Sequence, residues 1–135
     1  MDYYINELPI EAELYNLYHS VGWFNYLSCE YKLTAMLEQS SYFVTVKHDN
    51  QLVGLIRALT DGISIVYIQD LLVLPEYQNK GVGKQLLNYV LKQYNGVRQI
   101  VLTTDNDPTK KYFYEKSGLF ATIDFNCISY MKLNM

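Results

Sequence analysis

Apolar positions Leu14, Leu17, Tyr18 and Val21 recur at intervals of three and four, which predicts an amphipathic helix closing near Gly22. Ahead of it, residues 3–8 are apolar and aromatic enough for a short strand, and Pro9 stands where a helix can begin without its N–H. A second helix is expected over residues 28–39, with Tyr31, Leu33, Ala35, Met36 and Leu37 on its apolar side. Between the two lies an aromatic loop, Gly22-Trp23-Phe24-Asn25-Tyr26. The period then changes. Residues 42–47 and 52–59 are β-branched or apolar runs joined by the polar turn His48-Asp49-Asn50-Gln51, a hairpin pattern. After the tight turn at Asp61-Gly62, residues 63–73 are apolar on both faces, as in a central strand covered from two sides.

Helical spacing returns over residues 82–94, where Val82, Leu86, Leu87, Val90, Leu91 and Tyr94 share one side and Gly96 supplies a stop. Residues 97–103 form another apolar strand. Asp107 as N-cap and Pro108 at the first helical position open a further helix, which carries Tyr112, Phe113 and Tyr114 and ends at Gly118. Residues 119–125 and 127–133 are expected to be two final strands joined by a short turn. The order β-α-α-β-β-β-α-β-α-β-β implies an α/β (α+β layered) fold, a mixed sheet with helices on both faces. No repeat or low-complexity tract interrupts it.

The 135 residues support one domain with a sizeable core, so a single domain over residues 1–135 is expected. Charge narrows the partners. Lys and Arg number 11 against 14 Asp and Glu, a net charge of -3, which is unlike a face that neutralises many phosphates, and no nucleic-acid partner is expected. No run approaches the roughly 20 apolar residues of a membrane span, and the first residues do not resemble a secretory signal. A cytoplasmic protein, a monomer or homodimer, is the expectation. Cys29 and Cys127 lie far apart and fit no ligand spacing, and His19 and His48 have no neighbouring partner. The thiols are therefore expected to be reduced and partly buried, with no metal site.

The chemistry gathers in one stretch. A strand ending Leu71-Leu72-Val73 leads through Leu74-Pro75-Glu76-Tyr77 into Gln78-Asn79-Lys80-Gly81-Val82-Gly83-Lys84, which opens a helix. Free N–H groups at a helix start, with no side chain blocking approach, make a cradle for phosphate oxygens, and Lys80 and Lys84 add positive charge at its rim. The same glycines also suit a plain tight turn and close helix packing. Neither the nucleotide-triphosphate loop nor the dinucleotide fingerprint fits, since Gly83-Lys84 is followed by Gln85 and only two glycines occur.

Gln78-Asn79-Lys80-Gly81-Val82-Gly83 resembles the acetyl-coenzyme A pyrophosphate motif of the GNAT superfamily of N-acetyltransferases. Downstream, Phe113-Tyr114-Glu115-Lys116-Ser117-Gly118-Leu119 is similar to that family's aromatic-Tyr-Glu-Lys-x-Gly-Phe signature, and the element order matches along nearly the whole chain. The resemblance implies that backbone N–H groups from Gln78 to Lys84 hold the pyrophosphate. It implies further that main-chain groups of Leu71, Leu72 and Val73 pair with the pantetheine arm in a gap beside residues 97–103, and that Tyr114 protonates the departing thiolate. Attack of an amine on a thioester needs an N–H facing the oxyanion, a proton donor near sulfur and an exit for the ammonium proton. A main-chain N–H of Leu72 or Val73 suits the first need.

Asp70, a carboxylate among apolar residues, is the candidate base, with a structural or substrate-orienting role as its alternative. Glu30 and Glu38 are more remote candidates. Tyr67 stands where some family members carry a catalytic glutamate, a departure from the pattern. A second departure is Asp107 where the family often has Asn, which leaves Asn106 or Asp107 as candidate contacts to the pantetheine arm. Trp23, Tyr26 and Tyr31, with Asp70, are the candidate substrate-binding residues. Core or dimer packing competes with that reading and has the edge for Trp23 and Phe24. The function expected is direct acetyl transfer from acetyl-CoA to a primary amine, with a small molecule as the expected acceptor. A non-catalytic acyl-CoA-binding module and an interaction protein using its aromatic surface are the alternatives.

Overall fold

Asp49 and Asn50 have φ of 49° and 64°, the positive values that a two-residue type I′ hairpin turn requires and that Asp and Asn tolerate. They join β2 (Tyr42–His48) to β3 (Gln51–Thr60), so the turn is tighter and the strands longer than the four polar residues imply. The computed structural model describes residues 1–27 and 31–134 and comprises two compact units, Met1–Leu102 and Thr103–Met135.

The first unit holds a five-stranded sheet in the order β1-β2-β3-β4-β5. Here β1 is Asp2–Ile5, β4 is Ile65–Val73 and β5 is Gln99–Leu102. The first three pairings are antiparallel and β4 with β5 is parallel, so the sheet is mixed. Strand β1 stops earlier than its composition suggests because Asn6 turns with φ 55° and binds Phe43, its Oδ1 accepting from the Phe43 N–H at 2.9 Å. Strand β4 starts later because Asp61 folds the preceding residues into a turn. Its Oδ1 accepts from the N–H groups of Ile63, Ser64 and Ile65.

Among the described residues this unit also holds three α-helices: α1 (Glu11–Ser20), α2 (Leu33–Glu38) and α3 (Val82–Gln93). Side chains that face each other across an antiparallel ladder share a face, so the register assigns each helix its side. Gly54 faces α3: a Cβ there would lie 2.8 Å from Val46 Cγ1 and 3.2 Å from Leu86 Cδ1, and glycine is what lets helix and strand approach. Arg57, an odd number of residues away, faces α1, as does its register partner Asp70. Helices therefore cover both faces. Leu14, Leu17 and Tyr18 on one side and Val82, Leu86, Leu87 and Val90 on the other are buried, each full apolar burial worth about 1.5–3 kcal/mol.

Helix α2 is short, and its start is capped from a distance. Glu11 at the start of α1 accepts from the N–H groups of Leu33 and Thr34 at 2.9 and 3.1 Å, answering two of the donors that a helix leaves free. Of the helix expected over residues 28–39, Ser28, Cys29 and Glu30 lie outside the described residues. No helix among the described residues is long and apolar enough to cross a membrane.

The second unit contains α4 (Pro108–Lys116). Asp107 caps it as the sequence predicts, its Oδ1 accepting from the Lys110 N–H at 2.9 Å. The two final strands are not formed. Thr122–Phe125 is a 3-10 turn closed by Asn126 at φ 58°, and residues 127–134 have no regular structure. An apolar alternating run becomes a strand only when a neighbour takes its N–H and C=O groups, and no ladder forms among the described residues of this unit. Cys127, expected to be partly buried, is exposed.

Candidate active site

The parallel ladder between β4 and β5 ends early. Its last pair is Ile68 with Leu102, while β4 continues to Val73, so residues 69–73 run on past the end of β5. Leu74 N–H donates to Val53 O at 2.8 Å. Alternation along an antiparallel ladder then turns Leu72 toward β3, and turns the N–H groups of Leu71 and Val73 to the opposite edge. Of the two oxyanion donors considered from sequence, Val73 keeps that geometry. Leu72 does not, because its N–H serves the ladder.

A bulge lies where the strands part. Arg57 pairs with Asp70 and Ala58 with Ile68, leaving Gln69 as the additional residue. Because Arg57 and Ala58 point to opposite faces, Asp70 and Ile68 do as well.

Beyond Val73, Pro75–Tyr77 forms a 3-10 turn. Gln78 Nε2 donates to Val73 O at 2.9 Å, which ties the loop back to the strand end, so the Gln78 side chain is a brace. Asn79 and Gly81 have φ of 62° and 83°, which curls the main chain over the helix start. Gly81 is the N-cap of α3, with no side-chain cap. Helix geometry leaves the N–H groups of Val82, Gly83 and Lys84 without intrahelical acceptors, at the positive end of a twelve-residue helix. A Cβ at Gly81 would meet nothing within 4 Å. The arrangement fits a phosphate-bearing group: an open cradle, free donors, and the exposed Lys80 and Lys84 at its edge. Lys80 Nζ lies 5.6 Å from the centre of the Tyr77 ring.

On the α1 face, Asp70 is only 1% exposed and Arg57 7%. Arg57 Nε donates to Asp70 Oδ2 at 2.7 Å, Tyr18 Oη to the same oxygen at 2.8 Å, and Tyr26 Oη to Oδ1 at 2.9 Å. Gln69 Nε2 donates to Tyr26 Oη at 3.1 Å. Burial, then the Asp70 charge, pushes the Tyr18 phenol well above its ordinary range and raises that of Tyr26. This corrects the reading of Asp70 as a direct base. Both of its oxygens are engaged by three donors, and the carboxylate is buried behind Tyr26. Arg57, Tyr18 and Gln69 were not singled out from sequence. The available signal was a lone Arg and a lone Asp, each inside an otherwise apolar run.

The aromatic loop is a 3-10 turn, Phe24–Tyr26. Tyr26 meets Tyr18 edge-on at 5.1 Å between ring centres and lies 6.3 Å from Trp23. Trp23 is 37% exposed, Phe24 56% and Tyr31 44%, so Trp23 and Phe24 are surface residues, against the expectation that gave core packing the edge. In the second unit, Tyr114 is partly buried in α4 and packs edge-on against Phe113 at 5.0 Å. Burial raises its pKa, opposed in part by a hydrogen bond with Thr104. Asn106 is exposed in the turn before α4.

Known proteins carry the same layout. The family model described as the acetyltransferase (GNAT) domain matches residues 16–128, and this chain belongs to that family. A GNAT family acetyltransferase from Streptococcus pneumoniae superposes with a TM-score of 0.87 at 29% identity, covering 98% of this chain and 97% of that one. An uncharacterised N-acetyltransferase of Porphyra purpurea is 30% identical over 116 residues, which are 83% of this chain and 66% of that protein. The PaiA N-acetyltransferase of Thermoplasma acidophilum, in complex with coenzyme A, shares the fold with a TM-score of 0.66 at 22% identity, over 87% of this chain and 89% of that one. The chain spans between 31% and 66% of the length of the curated relatives it matches.

Proposed function

We propose that this chain transfers an acetyl group directly from acetyl-CoA to a primary amine, most simply that of a small molecule. One observation carries the reading. Strand β4 runs past the end of its parallel neighbour at Ile68, with the N–H groups of Leu71 and Val73 turned to the edge beyond, and leads through the Pro75–Tyr77 turn into the uncapped start of α3. An extended acyl thioester with a pyrophosphate at its far end has this shape and this donor pattern.

In this reading, backbone N–H groups of residues 79–84 hold the pyrophosphate, with Lys80 and Lys84 adding long-range attraction. The N–H groups of Leu71 and Val73 serve the pantetheine arm and the thioester oxygen, and Asn106 serves the arm as well. The amine nitrogen bonds to the acyl carbon, the carbon–sulfur bond breaks, and the thiolate takes a proton from Tyr114 Oη, while the nitrogen loses its own proton to solvent and a solvent proton restores the phenol. Burial raises the Tyr114 pKa, so the phenol holds its proton at neutral pH and parts with it only as the thiolate forms beside it. Trp23, Tyr26 and Tyr31 face the acceptor, and Asp70 serves them from behind.

The engagement of Asp70 by three donors favours one second reading, a module that binds acyl-CoA without turning it over. Calorimetric titration with acetyl-CoA, combined with thiol release over a panel of amines, separates the two. Micromolar binding, about -8 kcal/mol, with amine-dependent thiol release that falls in Tyr114→Phe supports transfer. Binding without release supports the module, and no binding to the folded protein overturns both.

A further inference from the structure

The cluster at Asp70 does more than stabilise. An ionised carboxylate has no proton to give, so each group that meets Asp70 must donate to it. Tyr26 therefore points its hydroxyl proton inward at Oδ1, while its oxygen accepts from the Gln69 amide. The direction of the whole chain is fixed by the buried charge of Arg57, whose Nε holds Oδ2. Any further polar partner of the Tyr26 oxygen has to be a donor.

The location matters as much as the polarity. Gln69 is exposed, Tyr26 partly buried and Asp70 buried, so the three form a line from solvent to core. Gln69 is also the bulge residue of β4. It directly follows the last pair with β5 and lies two residues before Leu71, the first residue assigned to the thioester edge. The Tyr26 hydroxyl thus stands beside the point where the strands part.

We propose that Tyr26 is the residue that receives the acceptor, and that Asp70 and Arg57 are positioning residues that lock its oxygen into accepting mode, so that the site takes a ligand offering an N–H. The proposal rests on the transfer reading above and names its acceptor contact. An amine that donates one N–H to this oxygen keeps its lone pair for the acyl carbon. A carboxylate or phosphate at the same place would meet an oxygen with no proton to offer.

The test uses Tyr26→Phe, which keeps the ring against Tyr18 and Trp23 and removes only the oxygen. With n-butylamine, 1,4-diaminobutane and phenethylamine as acceptors, the expected result is an amine KM raised about tenfold or more, with acetyl-CoA affinity unchanged within about twofold. Asp70→Asn is expected to shift amine KM in the same direction. A structural defect would instead weaken both substrates together. In parallel, the wild-type protein carrying 13C at tyrosine Cζ is titrated with the same amines, and the Tyr26 resonance, assigned by its loss in Tyr26→Phe, is expected to move. Movement without any turnover sustains the contact and sinks the transfer reading. Turnover with unchanged amine KM in Tyr26→Phe, a parallel loss for both substrates, or a Tyr26 resonance indifferent to every amine overturns the proposal.

Discussion

The loop at residues 78–84 and the ion pair of Arg57 and Asp70 stand at opposite ends of the same half-strand, and they are built from opposite materials. The loop works through main-chain N–H groups. Its side chains are mostly exposed, and the space above Gly81 is open. The pair works through side chains brought from α1, the aromatic turn, β3 and β4, packed at 7% exposure or less for the two charged members. A site made of backbone depends on conformation and on what enters it, whereas a site made of buried charge depends on every partner being present.

The two regions should therefore fail in different assays. The largest effect is expected from Arg57→Ala, which leaves Asp70 buried with only tyrosine partners. Removing one member of a buried pair typically costs about 3–5 kcal/mol. Urea denaturation followed by tryptophan fluorescence at Trp23 should show that loss, and a midpoint equal to wild type would mean the pair is dispensable.

Gly81→Asp should do the reverse. A residue with φ of 83° tolerates Asp at modest cost, but the new charge faces the cradle, so acetyl-CoA affinity is expected to fall by about 100-fold or more, roughly 2.7 kcal/mol. If binding survives, the anion does not sit at this helix start. Together the two variants make a crossed test, since each should leave the other's property closer to wild type.

How each region reads in the sequence follows from the same contrast. Backbone sites are written locally. The glycines at 81 and 83, the preceding strand and the following amphipathic helix lie within one short stretch, so the cradle and the sheet that feeds it were legible. Side-chain clusters are written nonlocally. Arg57 and Asp70 are 13 residues apart, and Tyr18 is 52 from Asp70, so only the register reveals that they meet. The same blindness hid Glu11, which caps a helix 22 residues away. In the last residues the sequence misled, because an alternating pattern states a preference for extended chain without stating what it pairs with.

A smaller effect sharpens the cluster further. The Tyr18 phenol is raised well above 10.0 by burial and by the Asp70 charge. Above pH about 10 the unfolded chain gives up this proton while the folded protein keeps it. The stabilisation is thus complete below that pH and declines as pH rises. Tyr18→Phe should cost about 1–3 kcal/mol at neutral pH and flatten the alkaline decline of the urea midpoint. An unchanged slope would show that another group controls it.

The smallest effect belongs to the rim. Lys80→Ala with Lys84→Ala should weaken acetyl-CoA binding by less than about 1 kcal/mol, and the difference should fade as salt is added. A salt-independent loss of tenfold or more would move the lysines into direct contact with the phosphates.

The bulge at Gln69 also limits how this chain can change over time. Ahead of it, β4 presents Ile68 to the face that α3 covers; after it, the phase is inverted and Asp70 meets Tyr18 on the other face. Loops elsewhere absorb added or lost residues at small cost. Deletion of Gln69 would instead rotate one half of the strand against the other, turning Asp70 toward the apolar underside of α3 or Ile68 toward Arg57. Descendants of this sequence can exchange the residue at 69, but they cannot drop it, and any variation in acceptor preference has to come through substitution around a strand of fixed length.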